Sequence, residues 1–448
     1  MAAAIEPRAP HGATDPRAPR GATDPRAPHG ATDPRAPRGA TDPRAPRGAT
    51  DPRAPHGATT SRAPGGATIK VSASPGEVRT ALLIDGTLAE AWVERPARPD
   101  GVGDLHRGRV SAVAPAMAGA FVVLAGGETG FLPESEASTA RRPIAEAVSE
   151  GMILPLRVTR AAQGGKGPRV TARLTAEETA RIAAAPEGAP RLVARGPDAP
   201  LRLAARHPGA GVEVDAAALA ARLRGTLGAR VRLLAAPAFD DSLEAEFDLL
   251  AGPEVPLAGG GRLLIHPTPA LTAIDMDAGS AAGARGASAV VAMNREALPE
   301  LARQIRLRNL GGAILVDFAG LSPKRRAALE EPLRAALAPD RQARLLGFTH
   351  LGLAEIVRDR IHPPLHEVLG WPPSTLTRGL AALRQAAREA AARPGQALAL
   401  RARPAVLAAL QALPGALEDF AATAGRPLSL RPDPLAAEPQ IEEAHHGD

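Results

Sequence analysis

The stretch ALTAIDMDAG, residues 270–279, and the later ARQIRLRNLGGAILVDF, residues 302–318, decide how this chain folds. In an extended segment successive side chains point to opposite faces, so Ala273, Asp275 and Asp277 share one face and Ile274 and Met276 the other. Between the two stretches, Leu298, Leu301, Ala302 and Ile305 recur at helical spacing, and Gly311 and Gly312 provide a stop. The apolar run Ile314–Phe318 is the next strand, with Asp317 near its carboxyl end. Upstream, RLLIH at 262–266 is a further strand, joined through the turn Pro267–Pro269, so the order is β-β-α-β. A helical crossover makes the strands before and after it parallel neighbours. Asp275, Asp277 and Asp317 would then converge at one edge of a sheet. Unpaired anions there repel, and a hard divalent cation relieves the repulsion. Magnesium suits one or two carboxylates plus waters, which leaves positions for a phosphate oxygen and an attacking water. An aspartate ending an apolar strand also serves as a helix cap or an arginine partner, and spacing alone leaves both readings open.

Short strand-like runs precede this unit. TALLIDGTLAEAWVE, residues 80–94, is predicted as two strands about a turn at Asp85 and Gly86. HRGRVSAV, AGAFVVLA, TGFLP, MILPLRVTR and GPRVTARLT follow within residues 106–175, with a helix expected over residues 142–150. Such a series suggests a small OB-type barrel. Residues 176–260 are rich in Ala, Arg and Leu and predict two or three helices. From about Ser322 the chain is expected to be mostly helical, ending in a small α/β unit and a polar tail.

From Pro7 to Thr59 the unit PRAPHGATD or PRAPRGATD repeats almost unbroken. It holds no large apolar side chain and cannot offset the entropy of ordering, so a disordered arm is expected. The net charge of +6 is uneven: residues 1–66 carry ten arginines against Glu6 and five aspartates. An RNA-binding role for the folded part must therefore rest on local patches. The absence of cysteine excludes disulfides and thiolate metal sites and fits a reducing cytoplasm, the expected location. No apolar run reaches the roughly 18 residues of a membrane helix, and no membrane partner is expected.

The quoted stretches resemble the catalytic segment of the RNase E/RNase G family. There ALTAID is followed by a hydrophobic residue and Asn-Ser, then by a helix with ARQ-hydrophobic-RLRDLGG and a strand ending in IDF. DRQARLLGFTHLGLAEIVRDR, residues 340–360, resembles the segment that follows. GRVSAVAPAMAGAFVVLAGGETGFLP and GGKGPRVTARLT resemble the family's RNA-binding barrel. The resemblance implies an α/β multidomain protein in which an OB-type β-barrel is inserted ahead of a DNase-I-like α/β catalytic domain. The composition gives residues 1–67 as the repeat arm, and the resemblance assigns 68–104 to the first strands of an RNase H-like subdomain. The barrel takes 105–175, a shortened sensor and RNase H-like region 176–260, the catalytic domain 261–360, and a small domain with tail 361–448.

By the same resemblance Asp275 and Asp317 match the magnesium-binding aspartates, and Asp277 stands where the family has an asparagine. Phe121 and Phe131 match base-stacking aromatics, although a strand phenylalanine is more often a core residue. Arg107, Arg109 and Lys166 are placed to contact phosphates; each alone is more often a solvated charge. Arg303 and Arg306, on the helix, either support phosphate or solubilise it. The implied activity is magnesium-dependent endonucleolytic cleavage of single-stranded RNA by metal-activated water, with a catalytically impaired RNA-binding relative as the alternative. The family's paired cysteines are missing, and His362 with His366 does not replace them because Pro363 and Pro364 break helical spacing. A homodimer is allowed, and a zinc-linked tetramer is not expected. LVARGP and RLAARHPGA are the nearest approaches to the family's 5′-phosphate sensor. Neither matches it. Extra small residues also precede Arg285.

Overall fold

The structure, a computed structural model, describes residues 66–138, 142–258, 260–279 and 287–444. The repeat arm and the small-residue run before Arg285 lie outside the described residues. Strands β1 (Ala67–Ser74), β2 (Glu77–Ile84) and β3 (Thr87–Glu94) form an antiparallel meander. The β2–β3 link is the predicted Asp-Gly turn: Asp85 and Gly86 take φ of 52° and 78°, the positive values a two-residue hairpin needs.

Next come β4 (Leu105–Ala114), β5 (Gly119–Val123), β6 (Thr129–Pro133), β7 (Ile153–Arg160) and β8 (Arg169–Thr171). They are ordered β5-β6-β8-β7-β4, and a further β4–β5 pairing closes them into a barrel. Alternation fills it: Ala120, Val122, Leu132, Leu156, Val158 and Val170 point inward as one core, while Phe121 and Phe131 lie outside that core. Helices α1 (Glu134–Ala137) and α2 (Ile144–Ala147) cross between β6 and β7. The helix expected over 142–150 is thus a single turn, because Pro143 precedes it and Val148 is already extended.

The region from 176 to 260 holds more strand than expected. After α3 (Ala176–Ala183), β9 (Arg191–Ala194) pairs with β4. Beyond α4 (Ala199–Arg206), β10 (Gly211–Val214) joins β1 in parallel; after α5 (Ala217–Leu227), β11 (Val231–Leu233) joins β10. The result is a five-stranded sheet ordered β11-β10-β1-β2-β3, with α6 (Asp241–Leu249) packed against it.

A second sheet has six strands ordered β12-β13-β14-β15-β17-β16. They are β12 (Glu254–Pro256), β13 (Arg262–Pro267), β14 (Leu271–Asp277), β15 (Gly312–Asp317), β16 (Ala343–Phe348) and β17 (Ala354–Arg358). Helix α7 (Ala287–Leu307) is the crossover between β14 and β15, which pair in parallel as the pattern predicts. Its Leu298, Leu301, Ala302 and Ile305 pack with Ile274, Met276, Ile314 and Val316. Each of the larger side chains among them, fully buried, contributes about 1.5–3 kcal/mol. Helices α8 (Pro323–Arg326) and α9 (Glu330–Leu337) continue the layer, and Leu333 and Leu337 join the same core. The β16–β17 hairpin corrects the expectation of a mainly helical segment after Ser322.

Helix α7 stops at Leu307, ahead of the glycines, and Asn309 reverses the chain at φ 48°. The Asn309 carboxamide donates to the carbonyls of His362 and Pro363 at 3.0 Å each. The rest is a small α/β unit: α10 (Leu365–Leu369), α11 (Thr375–Ala392), β18 (Leu398–Ala402), α12 (Pro404–Gln411), α13 (Ala416–Ala424), β19 (Ser429–Pro432) and β20 (Gln440–Glu443). Ion pairs tie it to the first sheet, among them Arg384–Glu77 at 3.1 Å.

Arg358 and Asp340 form a buried pair, Nε to Oδ2 at 2.7 Å, and Arg358 Nη1 also donates to Asn309 Oδ1 at 2.7 Å. Removing one partner leaves a charge buried without compensation. Asp340→Ala is therefore expected to destabilise the unit by about 3–5 kcal/mol, read from denaturant or thermal unfolding of the full chain. A loss below about 1 kcal/mol would mean that water reaches the site and that the pair does not brace the sheet.

Candidate active site and nucleic-acid interface

One face of the six-stranded sheet is covered by α7 and α9. The opposite face carries Asp275, Asp277 and Asp317 together with apolar residues such as Ala273 and Leu315. Register pairing of β14 with β15 sets Asp275 directly opposite Asp317, so two carboxylates end adjacent parallel strands side by side. Both are exposed. Asp275 has no hydrogen-bond or ion-pair partner among the described residues, whereas Asp317 Oδ1 lies 2.9 Å from Arg326 Nη1. Arg326 is itself anchored, donating through Nε to Leu321 O at 2.8 Å and through Nη1 to Gly352 O at 2.9 Å.

Asp277 is on the same face but has its own partners. It stands opposite Arg262 on β13, which donates from Nε at 3.0 Å, and its Oδ1 accepts from the Gly279 amide at 2.9 Å. The Gly279 amide first, and Arg262 next, hold its carboxyl below the usual range. Arg262 also meets Glu254 at 3.2 Å. Among the described residues, no three His, Asp or Glu side chains are gathered closely enough to hold a metal ion. The expected convergence of three carboxylates therefore narrows to two. Those two match the donors that a hard, oxygen-seeking ion such as magnesium takes from protein.

On the barrel, Phe121 and Phe131 are register partners on neighbouring strands, with ring centroids 5.6 Å apart in an edge-on arrangement. Both are part-exposed, and the Phe131 ring lies across Gly119, where a Cβ would collide with it. Lys166 is exposed in the turn Gly164–Gly165, whose positive φ values of 57° and 74° fit a tight hairpin. Arg107 and Arg109 are less free than expected. Arg107 donates to Ile182 O at 3.1 Å and Pro186 O at 3.3 Å, and Arg109 donates to Ala189 O at 3.1 Å. Both thus tie the segment after α3 to the barrel wall.

Most of the other charges are committed as well. Arg303 meets Glu246 at 3.0 Å and Glu300 at 2.8 Å, and donates to Leu88 O at 2.9 Å, so it joins α7 to the first sheet. Arg306 makes no ion pair among the described residues, and burial lowers its guanidinium pKa. His362 Nδ1 contacts Asp100 Oδ2 at 2.6 Å and sits edge-on to Trp92, while His366 packs edge-on against Trp371. Burial holds both imidazoles below the usual histidine range. In LVARGP and RLAARHPGA, Arg195 pairs with Asp104 and Arg206 with Glu90, each at 2.6 Å. Sequence reasoning missed Arg262 and Arg326, since only the sheet and the turn after β15 bring them to the aspartates.

The chain is similar to known proteins. The pattern of the Ribonuclease E/G family matches residues 216–361. Ribonuclease G of Escherichia coli (strain K12) is 27% identical over 396 residues, covering 67% of this chain and 81% of that protein. Ribonuclease E of Synechocystis is 40% identical over 123 residues, 27% of this chain and 18% of that protein. Ribonuclease E of Escherichia coli (strain K12) is 39% identical over 130 residues, 28% of this chain and 12% of that protein. The family match spans the second sheet, its crossover helix and both register-paired aspartates, and over these residues the chain is similar to the Ribonuclease E/G family.

Proposed function

We propose that this chain is a magnesium-dependent endoribonuclease for single-stranded RNA, with its catalytic centre on the open face of a DNase-I-like domain. The observation that carries the reading is the register pairing of Asp275 with Asp317 on an uncovered sheet face. Asp275 and Asp317 would hold the ion. When bound, magnesium supplies positive charge to a phosphate oxygen and lowers the pKa of a water that attacks phosphorus. The remaining work falls to the chain. Arg262 neutralises Asp277, so the third carboxylate adds little repulsion toward an incoming phosphate. Arg326 fixes the Asp317 carboxylate in one orientation. Phe121 and Phe131 offer apolar faces to bases, and Lys166 offers a cation at the barrel tip. Products with a 5′-phosphate and a 3′-hydroxyl are expected.

A second reading, RNA binding without cleavage, draws on the Arg326–Asp317 pair, which competes with a cation for the same oxygen. Asp317 is half exposed, so the pair is worth only about 0.2–1 kcal/mol. Arg326→Gln is expected to lower the magnesium concentration for half-maximal cleavage, by no more than about fivefold. A higher midpoint would mean that Arg326 orients a ligand more than it competes with the ion.

The double change Asp275→Asn and Asp317→Asn is expected to abolish cleavage of a labelled single-stranded RNA in magnesium. It should leave affinity in EDTA unchanged, because it removes groups that act on the transition state. Full residual cleavage would end the reading. Phe121→Ala and Phe131→Ala should each weaken RNA binding by about 1–3 kcal/mol. Unchanged affinity combined with a collapse of thermal stability would assign the rings to packing instead.

A further inference from the structure

The barrel surface carries a charged row next to the phenylalanine pair. Phe131 on β6 is the register partner of Arg169 on β8, and Arg169 in turn is opposite Arg160 on β7. A register shift between Val158 and Arg160 puts Arg160 in that place. Register partners lie on one side of a sheet. Phe121, Phe131, Arg169 and Arg160 therefore run in order across neighbouring strands, which are spaced about 4.8 Å apart. All four are part-exposed.

The row continues onto the chain segment beyond the second sheet. The Ala161 amide donates to Ile361 O at 2.9 Å, which brings the residues just before each, Arg160 and Arg360, together. The Arg360 side chain lies across Gly311 and Gly312, where any Cβ would strike it. This cradle holds Arg360 at the start of β15, the end opposite Asp317.

These arginines differ from the ion-paired ones of the scaffold, and they share the lack of a partner with Arg306 among the described residues. Arg79, Arg157, Arg262, Arg303 and Arg358 each face a carboxylate within 3.0 Å. Arg160, Arg169 and Arg360 make no ion pair and no side-chain hydrogen bond among the described residues. The Nε of Arg160 is buried with no partner. Burial, then the charges of Arg169 and Arg360, depress the Arg160 guanidinium pKa, as expected for positive charge without a counter-charge. The acid that interacts with Arg360 is Glu367, whose carboxyl accepts from the Gly164 amide and forms no ion pair with it. Three adjacent guanidiniums left bare beside two aromatic rings suit a ligand that repeats anion and flat ring, and a single RNA strand has that chemistry.

We propose that Arg169, Arg160 and Arg360 form a phosphate track that extends the Phe121–Phe131 platform and holds consecutive phosphates of one RNA strand. The proposal rests on the reading of this chain as an RNA-binding nuclease. Its test uses the full chain in EDTA, with a labelled single-stranded oligonucleotide titrated at several salt concentrations. Each lost phosphate contact should reduce the slope of log affinity against log salt by about 0.7. Arg160→Gln with Arg169→Gln should make the slope shallower by about 1.4, and adding Arg360→Gln by about 2.1. Arg160→Lys with Arg169→Lys keeps the charge and should restore most of the slope, which separates lost contacts from a damaged barrel. A slope unchanged in the glutamine variants, or equally shallow in the lysine variant, would overturn the track. Wild-type protein that cleaves RNA while the slopes stay equal would overturn the track alone. Wild-type protein that binds no RNA would overturn the underlying reading as well. Equal loss of binding to an acidic peptide of the same charge would point to a protein ligand and also overturn it.

Discussion

Helix α7 holds this molecule together. A parallel pair of strands cannot be closed by a tight turn, so β14 and β15 need a crossover, and α7 is that crossover. Its apolar stripe packs under the second sheet through Leu298, Leu301 and Ile305. Its last turn places Leu307 in the core of the first sheet with Leu88, Phe239 and Phe247. One helix thus sets the register that puts Asp275 beside Asp317 and joins the sheet carrying them to the rest of the fold. The reversal at Asn309, braced by buried Arg358 and Asp340, aims the chain back into β15.

Arginine use separates scaffold from surface. Lysine occurs only at Lys70, Lys166 and Lys324, so arginine must serve both as structural cation and as ligand group. In its structural role it is paired and often buried, as at Arg79, Arg358 and Arg308. Arg308 donates to the carbonyls of Leu249, Leu250 and Gly252, and burial brings its pKa to about 10. Arg169 and Arg160, by contrast, form no ion pair among the described residues and lie in the row that begins at Phe131. The planar fork of arginine fits both roles, since it can satisfy several carbonyls or grip a phosphate.

The carboxylates show the complementary pattern. Asp277 is drawn to Arg262 and Asp317 to Arg326, which leaves Asp275 as the aspartate of the three without a partner among the described residues. Arg262 across the strand pair offsets the charge that Asp277 adds. The open face therefore presents two adjacent carboxylates rather than a dense anionic patch.

Much of this was legible in the residues themselves. Periodicity alone located β13, β14, α7 and β15, because apolar spacing of two and of three to four is imposed by local geometry. The Asp85–Gly86 hairpin was equally local, since its two residues tolerate positive φ. The short strands β10, β11 and β12 were not legible. Each is only three or four residues long, too short to show a period, and β10 gains its hydrogen bonds from β1, far away in the chain. The same holds for the charges. Sequence spacing could place Asp275 and Asp277 on one face, but only the tertiary structure decided that Arg262 takes Asp277. It likewise ranged Arg169 and then Arg160 in a row from Phe131, because strand order in a closed barrel brings together residues that the chain keeps apart.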